Sequence, residues 1–339
     1  MTRFWDLRVI DAMTGEAFTG NPTPVFILDH LRKWPDKQVL QEIARELNQS
    51  DTIFVRRASK QNELGNLESQ KGATGSVSTA CVYDIKSFTP FKEEPFCGHG
   101  VVGATIALGD AGRVTGDVTF YTVDGIMVQA QLGAHSGERE QPGDSNIGHK
   151  WTVKLQIPSV PVTEDFNQDL GLRERIASTL NLHTRQIVSL GRNSLQDLVI
   201  ELEDSVDFSA TRMTIDAVAL MEAFPPGTRS QVLTGNGSRY GVDFVKRVFA
   251  YGSEYQATGS TYCVLIPYWA SRLGKSSLKV KQISERTGEV TVEAAAPGTD
   301  RAMLIASGVK IMEGKILVPR VGGDDGGEGV ASRPKLECD

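Results

Sequence analysis

Phe96-Cys97-Gly98-His99-Gly100-Val101-Val102-Gly103-Ala104-Thr105-Ile106-Ala107-Leu108 is the stretch on which the fold turns. From Val101 onward it carries no charge and only one hydroxyl, so a helix here has no face for water and must be buried all round. Its start, rich in glycine, reads as a loop feeding that helix. Much later the chain does the same thing again. Ser253-Glu254-Tyr255-Gln256-Ala257-Thr258-Gly259-Ser260 runs as a loop into the apolar stretch Thr261 to Ala270. Cys97-Gly98-His99 and Thr258-Gly259-Ser260 therefore hold equivalent places about half a chain length apart. The order of elements around each predicts an α/β (α+β) fold of two similar halves, each a strongly curved sheet or barrel around a central buried helix.

A helix start presents unpaired N–H groups and the positive end of the dipole, so two starts aimed at one cleft would grip a carboxylate. The same glycines also permit close helix–sheet packing, and either motif alone leaves both readings open. Gly98-x-Gly100-x-x-Gly103 matches the dinucleotide fingerprint in letters, but that motif follows a strand in a tight turn. Here Thr89 to Pro95 intervene, and no phosphate-binding loop of the GxxxxGK[ST] type exists elsewhere. Neither NAD nor ATP is expected as a cofactor.

Outward from the two apolar helices, strands are expected at 7–12, 25–28, 52–56, 81–88, 117–123 and 126–132 in the first half. Gly20-Asn21-Pro22-Thr23-Pro24 makes a rigid corner. A helix starts at Pro35, taken as a first-turn proline, and puts Val39, Leu40, Ile43, Ala44 and Leu47 on one face before ending near Asn48. In the second half, strands are expected at 151–157, 185–190, 197–203, 278–284, 288–295, 302–306 and 314–318, with helices at 170–180 and 216–223. The organisation reads as an N-terminal half at 1–132, a linker at 133–150 and a C-terminal half at 151–321 whose last strands can cross back to the first. Residues 59–79 read as a mobile polar insertion, and the Gly- and charge-rich tail 322–339 as disordered.

A length of 339 residues suits two domains at about 100–200 residues each. With 36 basic against 42 acidic residues the net charge is −6, which argues against duplex nucleic acid as a partner. Arg56-Arg57 and Lys246-Arg247 read as solvated surface. No apolar run approaches the ~20 residues of a membrane span, and Met1 to Arg8 lacks a signal-peptide core, so a cytoplasmic protein without a membrane partner is expected. Cys81, Cys97, Cys263 and Cys338 form no CxxC pair, and the five histidines show no HxxxH or HxH spacing. Neither a disulfide framework nor a local metal site is expected.

Three residues could carry chemistry. Asp51, between a helix end and a strand in Asn48-Gln49-Ser50-Asp51-Thr52, could shuttle a proton from a dry cleft or be a turn residue facing solvent. Cys97 sits at a helix start, where a thiol is activated, or is a small core thiol. His99 could bind substrate, relay a proton, or satisfy loop backbone. Cys263 reads as core.

At these residues the chain resembles the phenazine-biosynthesis PhzF-like family, whose fold is that of diaminopimelate epimerase. Val9-Ile10-Asp11-Ala12 with Gly20-Asn21-Pro22 is similar to its opening. Ile43 to Val55 is similar to its helix and catalytic loop. Phe88-Thr89-Pro90, Glu94-Pro95-Phe96-Cys97-Gly98-His99 and Ala257-Thr258-Gly259-Ser260 follow in the family's order. The resemblance implies a cofactor-free, metal-free acid/base isomerase with a small-molecule substrate held between the halves, and a homodimer.

It also implies that Asp51 stands where the family has its glutamate proton shuttle. Ser50, Gly98, His99, Gly259 and Ser260 match the family's substrate-holding positions, and Tyr255 stands where the family has an aspartate. Asn21, Gly100, Tyr255 and Thr258 are expected to join them around the substrate. A biosynthetic cyclase of secondary metabolism fits those departures. Cys97-Gly98-His99-Gly100 is also similar to the first cysteine motif of proline racemase-type enzymes, with Thr258 in the partner position. A Cys97-dependent amino-acid epimerase or dehydratase, and an inactive ligand-binding relative, are the alternatives.

Overall fold

The structure, a computed structural model, describes residues 3–58, 81–133 and 150–318. The expected insertion at 59–79, all but the ends of the linker at 133–150, and the tail at 322–339 lie outside the described residues.

The first half is a closed barrel. Strands β1 (Arg3–Ala12), β2 (Asn21–Ile27), β3 (Thr52–Arg57), β4 (Cys81–Phe88), β6 (Asp117–Tyr121), β7 (Met127–Leu132), β8 (Lys150–Pro158) and β17 (Arg301–Val318) pair in that order, and β17 returns to β1. A short β5 (Glu93–Glu94) lies on β4. Inside runs α2 (Gly98–Asp110), buried at every position from Gly98 to Leu108. Each fully enclosed Val, Ile or Leu on it stabilises the fold by roughly 1.5–3 kcal/mol. Outside lies α1 (Lys37–Leu47), which sets Leu40, Ile43 and Ala44 on Phe26, Phe54 and Phe88. Asp36 caps α1 by accepting from the Gln38 N–H at 2.8 Å, so Pro35 stands outside the helix and not in its first turn.

The second half repeats the plan. From β17 the sheet runs through β16 (Gly288–Glu293), β15 (Ser277–Gln282), β13 (Phe244–Ala250), β12 (Ser230–Asn236), β11 (Asp197–Leu202), β10 (Ile187–Asn193) and β9 (Val162–Asp165). A bend at 159–161 carries β8 into β9, and the Val160 N–H fixes it to the Cys263 carbonyl at 2.8 Å. The central helix is α5 (Tyr262–Leu273), and α3 (Leu170–Thr179) and α4 (Ala217–Glu222) cover the outer face. Residues expected as two strands at 302–306 and 314–318 form the single strand β17. It pairs with β8 and β16 over its first part and with β1 over its second, joining the halves.

Several expectations need correction. Strands at 230–236 and 244–250 were not anticipated, because a strand buried on both faces shows no alternation. Ser253–Tyr255, read as loop, is a short strand β14 on β13. Lys246 and Arg247 are not solvated surface; they are 0% and 2% exposed within β13. Arg247 is satisfied by Glu254 and by the carbonyls of Phe208 and Met213. Arg56 is also largely buried, paired with Asp84 at 3.0 Å.

One wall of the second half depends on a buried ion pair. Asp197 is fully buried and accepts from Arg229 Nε at 2.8 Å, a terminal Arg229 nitrogen at 2.6 Å and the Ser230 hydroxyl at 2.7 Å. Removing the cation leaves a carboxylate enclosed without its counter-charge. Arg229→Met is expected to lower stability by about 3 kcal/mol, the low end for a broken buried pair because the guanidinium keeps some contact with water. The drop is read as a fall in urea midpoint at constant slope; an unchanged midpoint would show the pair to be dispensable.

Candidate active site

The two central helices meet at their starts. A Cβ placed on Gly98 would lie 3.3 Å from the Gly259 Cα, and one on Gly259 would lie 3.1 Å from both the Gly98 Cα and the His99 nitrogen. Glycine at both positions lets backbone lie against backbone without crowding. Among the described residues, the amides of Gly98, His99, Gly259, Ser260 and Thr261 donate to no protein acceptor. Five free donors and two helix starts therefore lie together at this contact, a setting suited to an anion. Gly100 and Gly103 do different work. A Cβ there would run into Ile53 and Thr23, so they let α2 lie close to β3 and β2. The packing reading of the glycine motif holds at Gly100 and Gly103, while Gly98 lies at the contact between the two helix starts.

Asp51 is set beside this cradle by the turn between α1 and β3. It is 5% exposed. The Ser87 hydroxyl donates to its Oδ1 at 2.8 Å, which leaves Oδ2 turned to His99 Nε2 at 3.5 Å. Ser50 Oγ donates to Asn21 Oδ1 at 2.6 Å and stands 3.4 Å from His99 Nε2. Cys97 Sγ lies 3.4 Å from His99 Nδ1 and accepts from the Gly100 N–H at 3.3 Å, capping α2. Burial holds the His99 imidazole below its ordinary value against a smaller opposing pull from Asp51, so the ring is neutral at pH 7. Burial, and then the adjacent Asp51, push the Cys97 thiol well above its ordinary range. At neutral pH Cys97 is thus a thiol and not a thiolate, so it is not poised to act as the base.

A second layer fixes the loop ahead of α5. Gln282, fully buried, accepts from the Thr258 N–H at 2.9 Å and donates to the Tyr255 carbonyl at 2.5 Å. Asn21 Nδ2 donates to the Gln256 carbonyl at 2.9 Å, tying the first half's corner to the second half's loop. Lys246 Nζ donates to the Thr258 carbonyl at 2.5 Å and to Thr261 Oγ1 at 2.9 Å, 3.6 Å above the Tyr262 ring centre.

Burial lowers the Lys246 amine well below its ordinary 10.5. Between that lowered value and 10.5 the unfolded chain binds more protons at Lys246 than the folded one, so this group makes stability rise with pH there. Urea midpoints measured from neutral pH to pH ~9 are expected to climb less steeply in Lys246→Met than in the wild type. An identical climb would mean that the lysine titrates normally.

The site opens into a cavity of about 430 Å³ lined by Asp51, Cys97, Gly98, His99, Tyr255, Thr258, Gly259 and Ser260 together with Phe96, Met127, Leu195 and Arg229. A second hollow of about 510 Å³ adjoins it and holds Asn21, Ser50, Phe91 and Gln256. Thr89, Glu94, Tyr251 and Tyr255 form the wall common to both. All the expected site residues except Gly100 line one hollow or the other. Ser87, Gln282, Lys246 and Arg229 escaped sequence reasoning. Ser87 and Gln282 carry no local signal, whereas a charged pair inside the apolar run Phe244 to Ala250 was a signal of a buried polar role.

Among the described residues, no helix is long and apolar enough to cross a membrane. A curated relative from Mus musculus, phenazine biosynthesis-like domain-containing protein 2, is 28% identical over 322 residues, spanning 91% of this chain and 97% of its own. An uncharacterized isomerase of Halalkalibacterium halodurans is 26% identical over 92% of this chain and 98% of its own. Among solved structures, a PhzF-family phenazine biosynthesis protein of Enterococcus faecalis superposes with a TM-score of 0.69 at 23% identity, over 94% of this chain and all of that one. The fold extends to a hydroxyproline epimerase of Agrobacterium vitis, with a TM-score of 0.53 at 10% identity over 93% of each chain. The family model described as phenazine biosynthesis-like protein matches residues 10–314, nearly the whole sequence, and the chain belongs to that family.

Proposed function

We propose that this protein is an isomerase that moves a proton on a small or medium-sized organic acid, with Asp51 as the acid/base. The observation that carries the reading is the placement of one buried, hydroxyl-held carboxylate beside two abutting helix starts on a single cavity. The free amides bind the substrate carboxylate and take up the negative charge that develops when the neighbouring C–H bond breaks. Asp51 removes that proton as a base and returns it, as an acid, to another carbon of the same molecule, so protons balance over the cycle. His99, neutral and within reach of both Asp51 and Ser50, orients the substrate or passes the proton on. The relative named an isomerase and the fold shared with an epimerase support this class.

The cavity of about 430 Å³, with the adjoining hollow, exceeds what an amino acid needs and falls in the range of ligand sites near 300–1,000 Å³. A larger substrate, including one whose isomerised form closes a ring in a biosynthetic step, is therefore our preferred class. Incubating the protein in D2O with a panel of cyclic and acyclic carboxylic acids and amino acids, and reading mass and isomer content, tests the proposal. Deuterium gained at a carbon of one panel member together with a new isomer supports it. Tight binding of panel members without exchange would leave only a binding protein.

A further inference from the structure

The same three side chains have a second chemical capacity that the sequence spacing concealed. Asp51, Cys97 and His99 offer one oxygen, one sulfur and one nitrogen, all within 4.8 Å of one another. Oxygen, sulfur and imidazole nitrogen form the mixed donor set of zinc, and hard cations such as magnesium and calcium prefer oxygen alone. The two separations made by His99 suit a tetrahedral ion, and the third, between Asp51 and Cys97, lies within 4.8 Å. With metal–nitrogen and metal–oxygen distances of about 2.0–2.1 Å and metal–sulfur of about 2.3 Å, tetrahedral donors stand roughly 3.3–3.6 Å apart. His99 Nε2 is 3.5 Å from Asp51 Oδ2 and 3.5 Å from Cys97 Sγ.

The surroundings already orient these donors. Ser87 occupies Asp51 Oδ1 and leaves Oδ2 to coordinate, which is the role of an outer hydrogen bond in a metal site. Asp51 and His99 are 5% and 4% exposed, so their donors are held by packing, while the cavity lies open to a fourth ligand. No HxxxH or CxxC pattern appears because Asp51 comes from one segment and Cys97 and His99 from another, 46 residues later.

We propose that Asp51, Cys97 and His99 form a capture site for a thiophilic divalent cation of the zinc class. An ion there occupies the place where Asp51 would exchange its proton with substrate, so it acts as a reversible inhibitor and not as a cofactor. The capture itself does not depend on the isomerase reading, because it needs only the three donors.

The test uses the full chain, freed of metal by a chelator that is then removed, with cobalt(II) and zinc(II) as probes. Binding displaces the Cys97 thiol proton to solvent. Cobalt is therefore expected to bind at one equivalent, releasing a proton, and to give a thiolate-to-metal charge-transfer band with the visible absorption of a tetrahedral ion. Competition against a chromogenic chelator is expected to show zinc binding at least about 100-fold weaker in Cys97→Ser and in His99→Gln, since loss of an outer hydrogen bond alone costs about 10–100-fold. Cys81→Ser and Cys338→Ser are expected to bind as the wild type does. Absence of the charge-transfer band in the wild type overturns the proposal without recourse to any variant. So does a band that survives Cys97→Ser, or one that disappears in Cys338→Ser.

Discussion

Asp51→Asn is expected to slow proton exchange on the substrate by about 10²–10⁴-fold, the contribution of a positioned acid/base. Asparagine keeps the size of the side chain and an oxygen for the Ser87 hydroxyl, which donates to Asp51 Oδ1 at 2.8 Å. The amides proposed to hold the substrate belong to Gly98, His99, Gly259, Ser260 and Thr261 and are untouched by the change. The loss therefore falls on kcat, with KM little altered, the signature of an interaction used only in the transition state. Asp51→Glu, which restores the residue the family resemblance implies, retains a carboxylate and is expected to keep measurable exchange. Steady-state kinetics on the panel member identified in D2O check both outcomes. A KM rise with unchanged kcat in Asp51→Asn would make Asp51 a binding group.

Gly259→Ala is expected to lower activity by a different route. Its Cβ would stand 3.1 Å from the Gly98 Cα and the His99 nitrogen and 3.2 Å from the Gly98 carbonyl carbon. These are backbone atoms of another helix start and cannot swing aside as a side-chain tip would. The two starts must separate slightly, and with them the free amides proposed to meet the substrate carboxylate. The contacts call for a shift of a few tenths of an ångström. Since a misplacement of about 1 Å in such a site costs on the order of 10²-fold, a loss of roughly 10-fold is expected, divided between weaker binding and slower turnover. Gly116→Ala is the control, because a Cβ there meets nothing within 4 Å. Equal activity of the two variants would show that the contact between helix starts is incidental.

Much of this architecture was legible because apolar helices announce their burial. Val101 to Leu108 has no polar face, so a helix there had to lie inside a sheet, and it does. Asp51 was placed by its position at a helix end, and the structure sets it beside His99. What stayed hidden was long-range or two-sided. β17 reads as two strands because the Gly- and charge-containing stretch between them looks like a break, yet the strand runs on along β1. Phe244 to Ala250 is buried on both faces, so alternation could not reveal it, and Lys246 was read as surface for want of its partners at 258 and 261. Ser87 became relevant only when β4 folded beside β3.

The measurement that bears most directly on the Asp51 mechanism is deuterium incorporation into the substrate by wild type, Asp51→Asn and Cys97→Ser side by side in D2O. Burial and Asp51 hold Cys97 in its thiol form, so Cys97→Ser is expected to retain most of the exchange while Asp51→Asn loses it. Exchange that vanishes in Cys97→Ser and persists in Asp51→Asn would contradict the account and assign the chemistry to the thiol.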